Sequence, residues 1–177
     1  MALGIVLAAG IAGGAWWVMS QTRSQPGVSN GTVGTSNPTV GQVAPDFNLK
    51  SLDGKDIRLS EYRGQKPVIL DFWASWSPDS RRNMPLLEQL YVKYKDQVEV
   101  IAINRQESDE RVRDFVAAHE LTFTVVLDPI AEIHSRYGDP YANTHILIDR
   151  GGNIAKIIYG DITEAEISQL LGTTDGR

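Results

Sequence analysis

The stretch from Pro67 to Pro85, PVILDFWASWSPDSRRNMP, constrains the fold of this chain more than any other. It opens with an apolar run typical of a buried strand and passes through a short turn into a helical pattern. Ser77 is a good N-cap residue, and Pro78 then takes the first helical position, where proline fits best. Asp79 adds an acid to the first turn, where the helix dipole favours it. The stretch therefore predicts a buried strand that leads directly into a helix N-terminus.

The same stretch resembles the active site of thioredoxin-fold proteins, above all that of the membrane-anchored TlpA/ResA-like thiol–disulfide oxidoreductases. In that family the strand ends in Phe-Trp-Ala-x-Trp-Cys-x-x-Cys, and a basic helix with Met-Pro or Phe-Pro follows. The matching residues here are Phe72, Trp73, Ala74, Ser75, Trp76, Pro78, Met84 and Pro85. The two cysteine positions hold Ser77 and Ser80. The resemblance thus implies the shape of a redox site whose redox residues are missing.

The absence of cysteine limits the chemistry of this site. The chain of 177 residues contains none, so it can form no disulfide, thiolate nucleophile or thiolate metal site. A thioredoxin-type site needs a thiolate at the helix N-terminus and a second cysteine that resolves the mixed disulfide. A serine hydroxyl cannot replace either, because it ionises far less readily and forms no disulfide. We therefore expect no thiol–disulfide exchange, and neither a cofactor nor a metal.

The first forty residues predict two segments outside the globular domain. Residues 2–19 carry no charge and would span roughly 27 Å as a helix, close to the thickness of a bilayer core. We expect residues 1–20 to form a single membrane anchor, with Trp16 and Trp17 suited to the interface. A cleaved signal peptide is the alternative, because Ala and Gly near residues 12–15 resemble a cleavage region. Residues 21–40, rich in Gly, Ser, Thr, Asn and Pro, predict a flexible tether, with a folded β-arm as the alternative.

The expected partners follow from the anchor, the resemblance and the charge. The anchor makes the membrane one partner, and the resemblance implies that the domain lies on the extracytoplasmic, periplasmic or outer side. We expect a membrane protein complex or an extracytoplasmic protein as a further partner. The net charge of −5 argues against nucleic acid, because phosphate binding requires a basic face. The three histidines are too scattered to predict a zinc cluster.

Residues 41–172 predict one domain, followed by a tail of residues 173–177. Val43–Leu49 resembles the Ala-Pro-Asp-Phe opening of redoxin-type domains, and Asp53-Gly54 predicts the turn of a β-hairpin. Hydrophobic periodicity and capping signals predict the remaining elements in the order β-β-β-α-β-α-β-α-β-β-α. Thr163 and Glu166 have the spacing of a capping box, which predicts the start of the last helix. This order matches the α/β thioredoxin fold, a central mixed β-sheet flanked by helices, with an N-terminal β-hairpin extension.

Two further positions depart from the family pattern. Family members carry a cis-proline in a loop reading Pro-Thr-Thr-Phe-Leu-Ile-Asp, and alignment on Leu147–Asp149 places Asn143 at the proline position. A cis bond outside proline costs about 3 kcal/mol, so we expect a trans peptide bond here. ResA-like members also have an acid before the Met-Pro or Phe-Pro pair, where this chain has Asn83.

The candidate site combines the two positions where the family has its redox cysteines with a candidate binding surface. Ser77 and Ser80 stand at the redox positions, and Asp71 matches the buried aspartate of thioredoxins. Without a thiol, Asp71 is either a vestigial buried acid or an ordinary aspartate satisfied by hydrogen bonds or water. The candidate binding surface, with core and rim packing as the alternative for its tryptophans, consists of Trp73, Trp76, Pro78, Asn143 and Thr144.

Two other kinds of site are weaker alternatives. Ser77, Asp71 and His145 could form a hydrolase triad, but no Gly-x-Ser-x-Gly elbow is present. The helix N-terminus could bind a phosphate or a carboxylate through backbone donors.

The conflict between the intact scaffold and the missing cysteines leaves two functions open. If the serines are native, the domain has lost redox activity, and we expect a non-catalytic accessory or binding subunit of a membrane protein complex. If they replace cysteines of an active protein, the chain is a TlpA/ResA-type thiol–disulfide oxidoreductase, for example in cytochrome maturation, seen as a Cys→Ser variant. Native loss also accounts for Asn143 and Asn83, which a Cys→Ser substitution leaves unexplained.

Overall fold

The computed structural model describes residues 37–138 and 142–174. Within these residues, no helix has the length and apolar character needed to cross a membrane. The predicted anchor, residues 21–36 of the predicted tether and residues 175–177 of the predicted tail lie outside the described residues. Gly41, the predicted first residue of the domain, donates its N–H to the Ile154 carbonyl at 2.8 Å, which ties the start of the domain to the sheet.

The order of the helices and strands agrees with the sequence prediction, with one additional 3₁₀ turn at Leu59–Tyr62. The last helix runs two residues past the predicted end of the domain. The elements are β1 (Asn48–Lys50), β2 (Asp56–Arg58), β3 (Val68–Trp73), α1 (Pro78–Tyr94), β4 (Glu99–Arg105), α2 (Asp109–Ala118), β5 (Thr124–Asp128), α3 (Glu132–Tyr137), β6 (Thr144–Ile148), β7 (Ile154–Tyr159) and α4 (Glu164–Thr174).

The five longer strands form one mixed sheet in the order β5-β4-β3-β6-β7. The central strand β3 is parallel to β4 and antiparallel to β6, and β6 is antiparallel to β7. Strands β1 and β2 form the predicted hairpin, with Leu49 opposite Ile57. The predicted capping box also forms, because the Glu166 carboxylate accepts the Thr163 N–H at 2.7 Å and the Thr163 hydroxyl at 2.8 Å.

All six residues of β3 are buried, and their side chains alternate between the two faces of the sheet. Ile69 and Trp73 point to one face, where they join a cluster built largely from helices α1, α2 and α4. Leu70 and Phe72 point to the other face, against α3 and the N-terminal segment of the domain. The alternation places Asp71 on the same face as Ile69 and Trp73. Asp71 is therefore a buried polar residue on an otherwise apolar face of β3.

Candidate functional site

The candidate site lies where β3 leads into α1. The Ser77 hydroxyl caps the helix by accepting the Ser80 N–H at 3.3 Å, and Pro78 occupies the first turn, as the sequence predicts. Pro78 has no N–H to offer, and the Arg81 N–H is bonded to the Ser77 carbonyl at 3.0 Å. Several first-turn donors are therefore absent or already bonded, and the exposed Asp79 carboxylate repels negative charge. The arrangement does not support the anion-binding alternative.

Ser80 is committed to hydrogen bonds within the protein. Its side chain is almost fully buried, with a relative exposure of 1%. The hydroxyl donates to the Ala142 carbonyl at 2.7 Å and accepts the Ala74 N–H at 3.3 Å. These bonds join the start of α1 to the end of β3 and to the segment before β6. Ser80 thus acts as a structural link at the position where the family has its second redox cysteine.

The two asparagines that depart from the family pattern contact each other. Asn83 Nδ2 donates to Asn143 Oδ1 at 2.8 Å, so α1 and the segment before β6 are joined a second time. The Asn143 carbonyl accepts the Gly160 N–H at 3.1 Å, which connects this segment to the end of β7. No peptide bond between described residues is cis, as expected for a loop without the family proline. The pocket is therefore held by complementary polar residues.

Asp71 and His145 form a buried pair beneath this pocket. They stand opposite each other on β3 and β6, and both side chains are at least 97% buried, with exposures of 3% and 0%. Asp71 Oδ1 lies 3.0 Å from His145 Nδ1, but the two atoms are not aligned for a hydrogen bond. Asp71 Oδ2 and both imidazole nitrogens lack a hydrogen-bond partner among the described residues. Asp71 Oδ2 thus has no protein partner in the described part of the chain, and the role of Asp71 stays a prediction.

This geometry also removes the hydrolase alternative. A triad requires a hydrogen bond between the nucleophile and the imidazole. His145 makes none within the described part of the chain, and the Ser77 hydroxyl serves as the helix cap. The same part of the chain holds no group of three His, Asp or Glu side chains that could bind a metal ion.

The predicted binding surface is smaller than expected. Trp73 is fully buried, and its ring packs on that of Phe115 with the centroids 5.0 Å apart, so it belongs to the core. The Thr144 side chain is buried as well, because Thr144 lies in β6 between β3 and β7. Trp73 and Thr144 therefore do not form part of an exposed surface. The side chains with exposed area are Trp76, Pro78 and, in part, Asn143, with Trp76 51% exposed.

An exposed ionic bridge borders this surface. Arg82 on α1 contacts Asp79 and Asp161, each at 2.9 Å. The hydrogen bond from Arg82 holds the pKa of the Asp161 carboxyl below its ordinary value, which outweighs a small opposing effect of burial, and Asn83 adds to the lowering. Asp161 is therefore ionised at neutral pH. The bridge joins the first turn of α1 to the segment before α4.

Sequence reasoning missed Glu107, which follows β4. Its carboxylate accepts the backbone N–H of Ser75 at 2.6 Å and the Ser75 hydroxyl at 2.5 Å. Ser75 lies in the loop between β3 and α1, next to Trp76. The two partners are 32 residues apart, and no local pattern indicates their contact.

The five-stranded mixed sheet, in the order β5-β4-β3-β6-β7, and the capped helix after its central strand place the chain in the class of thioredoxin-like proteins. Within that class, the chain belongs to the AhpC/TSA family, whose sequence pattern matches residues 40–157. The chain is 41% identical to the thiol-disulfide oxidoreductase ResA of Geobacillus thermodenitrificans, over 75% of this chain and 76% of that protein. It is 37% identical to the thioredoxin-like protein YneN of Bacillus subtilis, over 74% of this chain and 78% of that one.

A solved structure agrees with these relatives. The crystal structure of a candidate thiol:disulfide interchange protein, DsbE, from Chlorobium tepidum superposes with a TM-score of 0.70 at 32% identity. The match covers 79% of this chain and 100% of that one. The chain is thus a thioredoxin-like redoxin domain related to thiol–disulfide oxidoreductases, and it contains no cysteine.

Proposed function

We propose that this protein is a non-catalytic binding module, an accessory subunit of a membrane protein complex. The observation that supports the proposal most directly is the set of polar contacts in the pocket. Serines stand at the redox positions, and a hydrogen-bonded asparagine pair accompanies them. Ser80 is bonded to the Ala142 carbonyl, and Asn83 is bonded to Asn143. These contacts preserve the shape of a thioredoxin-type site and leave no group that could exchange a disulfide.

The asparagine pair also separates this proposal from its rival, a TlpA/ResA-type oxidoreductase seen as a Cys→Ser variant. The relatives favour the rival, because ResA is a thiol–disulfide oxidoreductase. Two Cys→Ser substitutions would, however, leave the rest of the pocket as it is in the family. Asn83 and Asn143 come from distant parts of the chain, and the Asn83 amide donates a hydrogen bond to the Asn143 side chain. Such a matched pair is expected where the whole pocket has changed together.

The recognition surface of the proposed module is centred on Trp76. Half-exposed aromatic side chains on a rigid support are typical anchors of protein interfaces. Trp76 lies in the short loop between the buried strand β3, which ends at Trp73, and the Ser77 cap, so its backbone is well supported. Pro78 and Asn143 complete the surface.

Mass spectrometry of the protein isolated from its native membrane distinguishes the two functions. The informative tryptic peptide is Gly64–Arg81, which spans both redox positions. Serine at positions 77 and 80, with no disulfide reductase or oxidase activity in the same preparation, is the expected result. Cysteine at either position would replace the proposal with the oxidoreductase.

We further propose that residues 1–20 anchor the protein and that the domain faces the extracytoplasmic side. Support comes from the uncharged stretch of residues 2–19. The protein should stay in the membrane pellet after extraction at alkaline pH, and protease added outside spheroplasts should remove the domain. Release into the supernatant would contradict the anchor, and protection from protease would contradict the orientation.

A further inference from the structure

The loop that carries Trp76 is held by a buried carboxylate from outside the redox motif. The Glu107 side chain is only 4% exposed. Its Oε2 atom accepts the Ser75 N–H at 2.6 Å, and its Oε1 atom accepts the Ser75 hydroxyl at 2.5 Å. One carboxylate thus binds both the backbone and the side chain of the residue that precedes Trp76.

Two more residues complete this network, which we call the Glu107 clamp (Ser75, Asn104, Glu107 and Arg111). Asn104 at the end of β4 donates its Nδ2 to Glu107 Oε2 at 2.8 Å. Arg111 on α2 places its Nε 3.1 Å from Glu107 Oε1 and 3.0 Å from the Ser75 hydroxyl oxygen. A buried carboxylate is costly unless its charge and lone pairs are satisfied, and here they are. Hydrogen bonds to a charged group are also stronger than neutral ones.

The clamp fixes the backbone on one side of Trp76, and the helix cap fixes it on the other. The Ser77 N–H is bonded to the Ala74 carbonyl at 3.1 Å, and the Ser77 hydroxyl caps α1. Trp76 therefore projects into solvent, at 51% exposure, from a backbone that is held on both sides. Interface anchors gain affinity when they are already ordered before binding, because less entropy is lost on association.

We propose that Glu107 is a positioning residue that sets the orientation of Trp76. Its consequence for partner binding rests on the proposed recognition function, whereas its effect on Trp76 does not. Glu107 touches no partner itself, because its side chain is buried. It acts through Ser75, whose N–H and hydroxyl it holds.

The chain offers a matched control for a role that is merely structural. Glu88 on α1 binds Thr122 in the same way, accepting its N–H at 2.8 Å and its hydroxyl at 2.5 Å. Thr122 lies in the loop before β5, away from the β3–α1 junction. Glu88→Gln thus disrupts the same type of carboxylate contact without touching the Trp76 loop.

The orientation of Trp76 can be followed by ¹⁹F NMR of the full chain in detergent, labelled with 5-fluorotryptophan. The chain contains four tryptophans, and Trp76→Phe assigns the relevant resonance. We expect Glu107→Gln to shift and broaden the Trp76 resonance while the Trp73 resonance keeps its position. Glu88→Gln should leave both unchanged. An unchanged Trp76 resonance in Glu107→Gln, or an equal change in Glu88→Gln, would overturn the proposal.

Ser75 variants keep the test decisive if Glu107→Gln does not fold. Ser75→Ala removes the hydroxyl but keeps the backbone bond to Glu107, so it should alter the Trp76 resonance less. Ser75→Thr retains both groups and should restore the wild-type resonance. A Ser75→Ala resonance identical to that of the wild type would contradict the clamp.

The amount of partner protein that co-purifies with each variant then separates the positioning role of Glu107 from the proposed recognition role of Trp76. If Trp76 is the anchor, a partner protein should co-purify with the wild type in stoichiometric amount, and Glu107→Gln should reduce that amount by about tenfold, which corresponds to about 1.4 kcal/mol. Glu88→Gln should retain it. A shifted resonance with full retention would uphold the positioning role of Glu107 and reject Trp76 as the anchor. An unchanged resonance with lost retention would reject the positioning role and leave the recognition function standing.

Discussion

Two buried histidine–carboxylate pairs of this domain invite comparison. In the first, Asp128 at the end of β5 contacts His134 on α3 at 2.9 Å, and each side chain is 1% exposed. In the second, Asp71 on β3 contacts His145 on β6 at 3.0 Å with similar burial. The types of side chain, the distances and the burial are nearly the same, so these features do not distinguish the pairs.

The hydrogen bonds do distinguish them. Asp128 accepts the backbone N–H groups of Glu132, Ile133 and His134 at 2.9–3.0 Å, and it also binds the His134 imidazole. It therefore caps a helix of six residues. Asp71 Oδ2 and both nitrogens of His145 have no hydrogen-bond partner among the described residues. The first pair is a structural cap, whereas the second pair contains buried polar atoms that no hydrogen bond from the described residues satisfies.

Replacement of Asp128 by Ala should have the largest effect on stability. The change leaves three N–H groups without an acceptor, of which those of Ile133 and His134 are buried, and we expect a loss of about 3 kcal/mol in the free energy of unfolding. Urea denaturation of the detergent-solubilised chain, followed by circular dichroism, measures it. A loss below about 1 kcal/mol would remove the distinction between the two pairs.

Acid should weaken the same cap. Burial by itself would raise the pKa of Asp128, but hydrogen bonds from the His134 side chain and from backbone N–H groups outweigh it, so the pKa lies below the ordinary value of 3.8. Because the pKa is lower in the folded state, the contribution of Asp128 is complete above about pH 4 and is lost as the pH falls through the folded-state pKa. Urea midpoints should therefore drop more between pH 5 and pH 2 in the wild type than in Asp128→Asn. Equal drops would contradict the cap.

The asparagine pair should show a smaller but measurable coupling. Unfolding free energies of Asn83→Ala, Asn143→Ala and the double variant form a thermodynamic cycle. We expect a coupling of about 1 kcal/mol, the net value of a typical hydrogen bond between neutral groups. A coupling near zero would mean that the two asparagines changed independently, and it would weaken the case for native loss of redox activity.

Asp71→Asn should have the smallest effect. The substitution removes a buried carboxylate whose second oxygen has no hydrogen-bond partner, so little favourable interaction is lost. We expect the free energy of unfolding to stay within about 1 kcal/mol of the wild type or to rise. A loss as large as that of Asp128→Ala would show that the second pair is also structural.

Much of the fold could be predicted from the sequence because its signals are local. The apolar run of β3, the Ser77 cap and Pro78 are adjacent, and together they indicate the β3–α1 junction. The sequence leaves Trp73 open between a binding surface and core packing, because the pattern of a strand buried on both faces does not show which helix covers each residue. The helix that covers it carries Phe115, about forty residues away.

The rest of the site depends on contacts between distant parts of the chain. Asp71 meets His145 through the register of β3 and β6, which hydrophobic patterning does not reveal. Glu107 reaches Ser75 across 32 residues, and Asn83 reaches Asn143 across 60. The departures at Asn83 and Asn143 were visible from the family resemblance, but their mutual hydrogen bond was not.

The central claim, a recognition surface without redox chemistry, is tested most directly by quantitative mass spectrometry of companions isolated with the protein from its native membrane. The wild type is compared with Trp76→Ala and with Val92→Ala, a control at the far end of α1 with similar exposure, 54% against 51%. We predict a stoichiometric companion that is retained by the wild type and Val92→Ala and lost about tenfold with Trp76→Ala. Equal retention by all three proteins, or no stoichiometric companion with the wild type, would contradict the account.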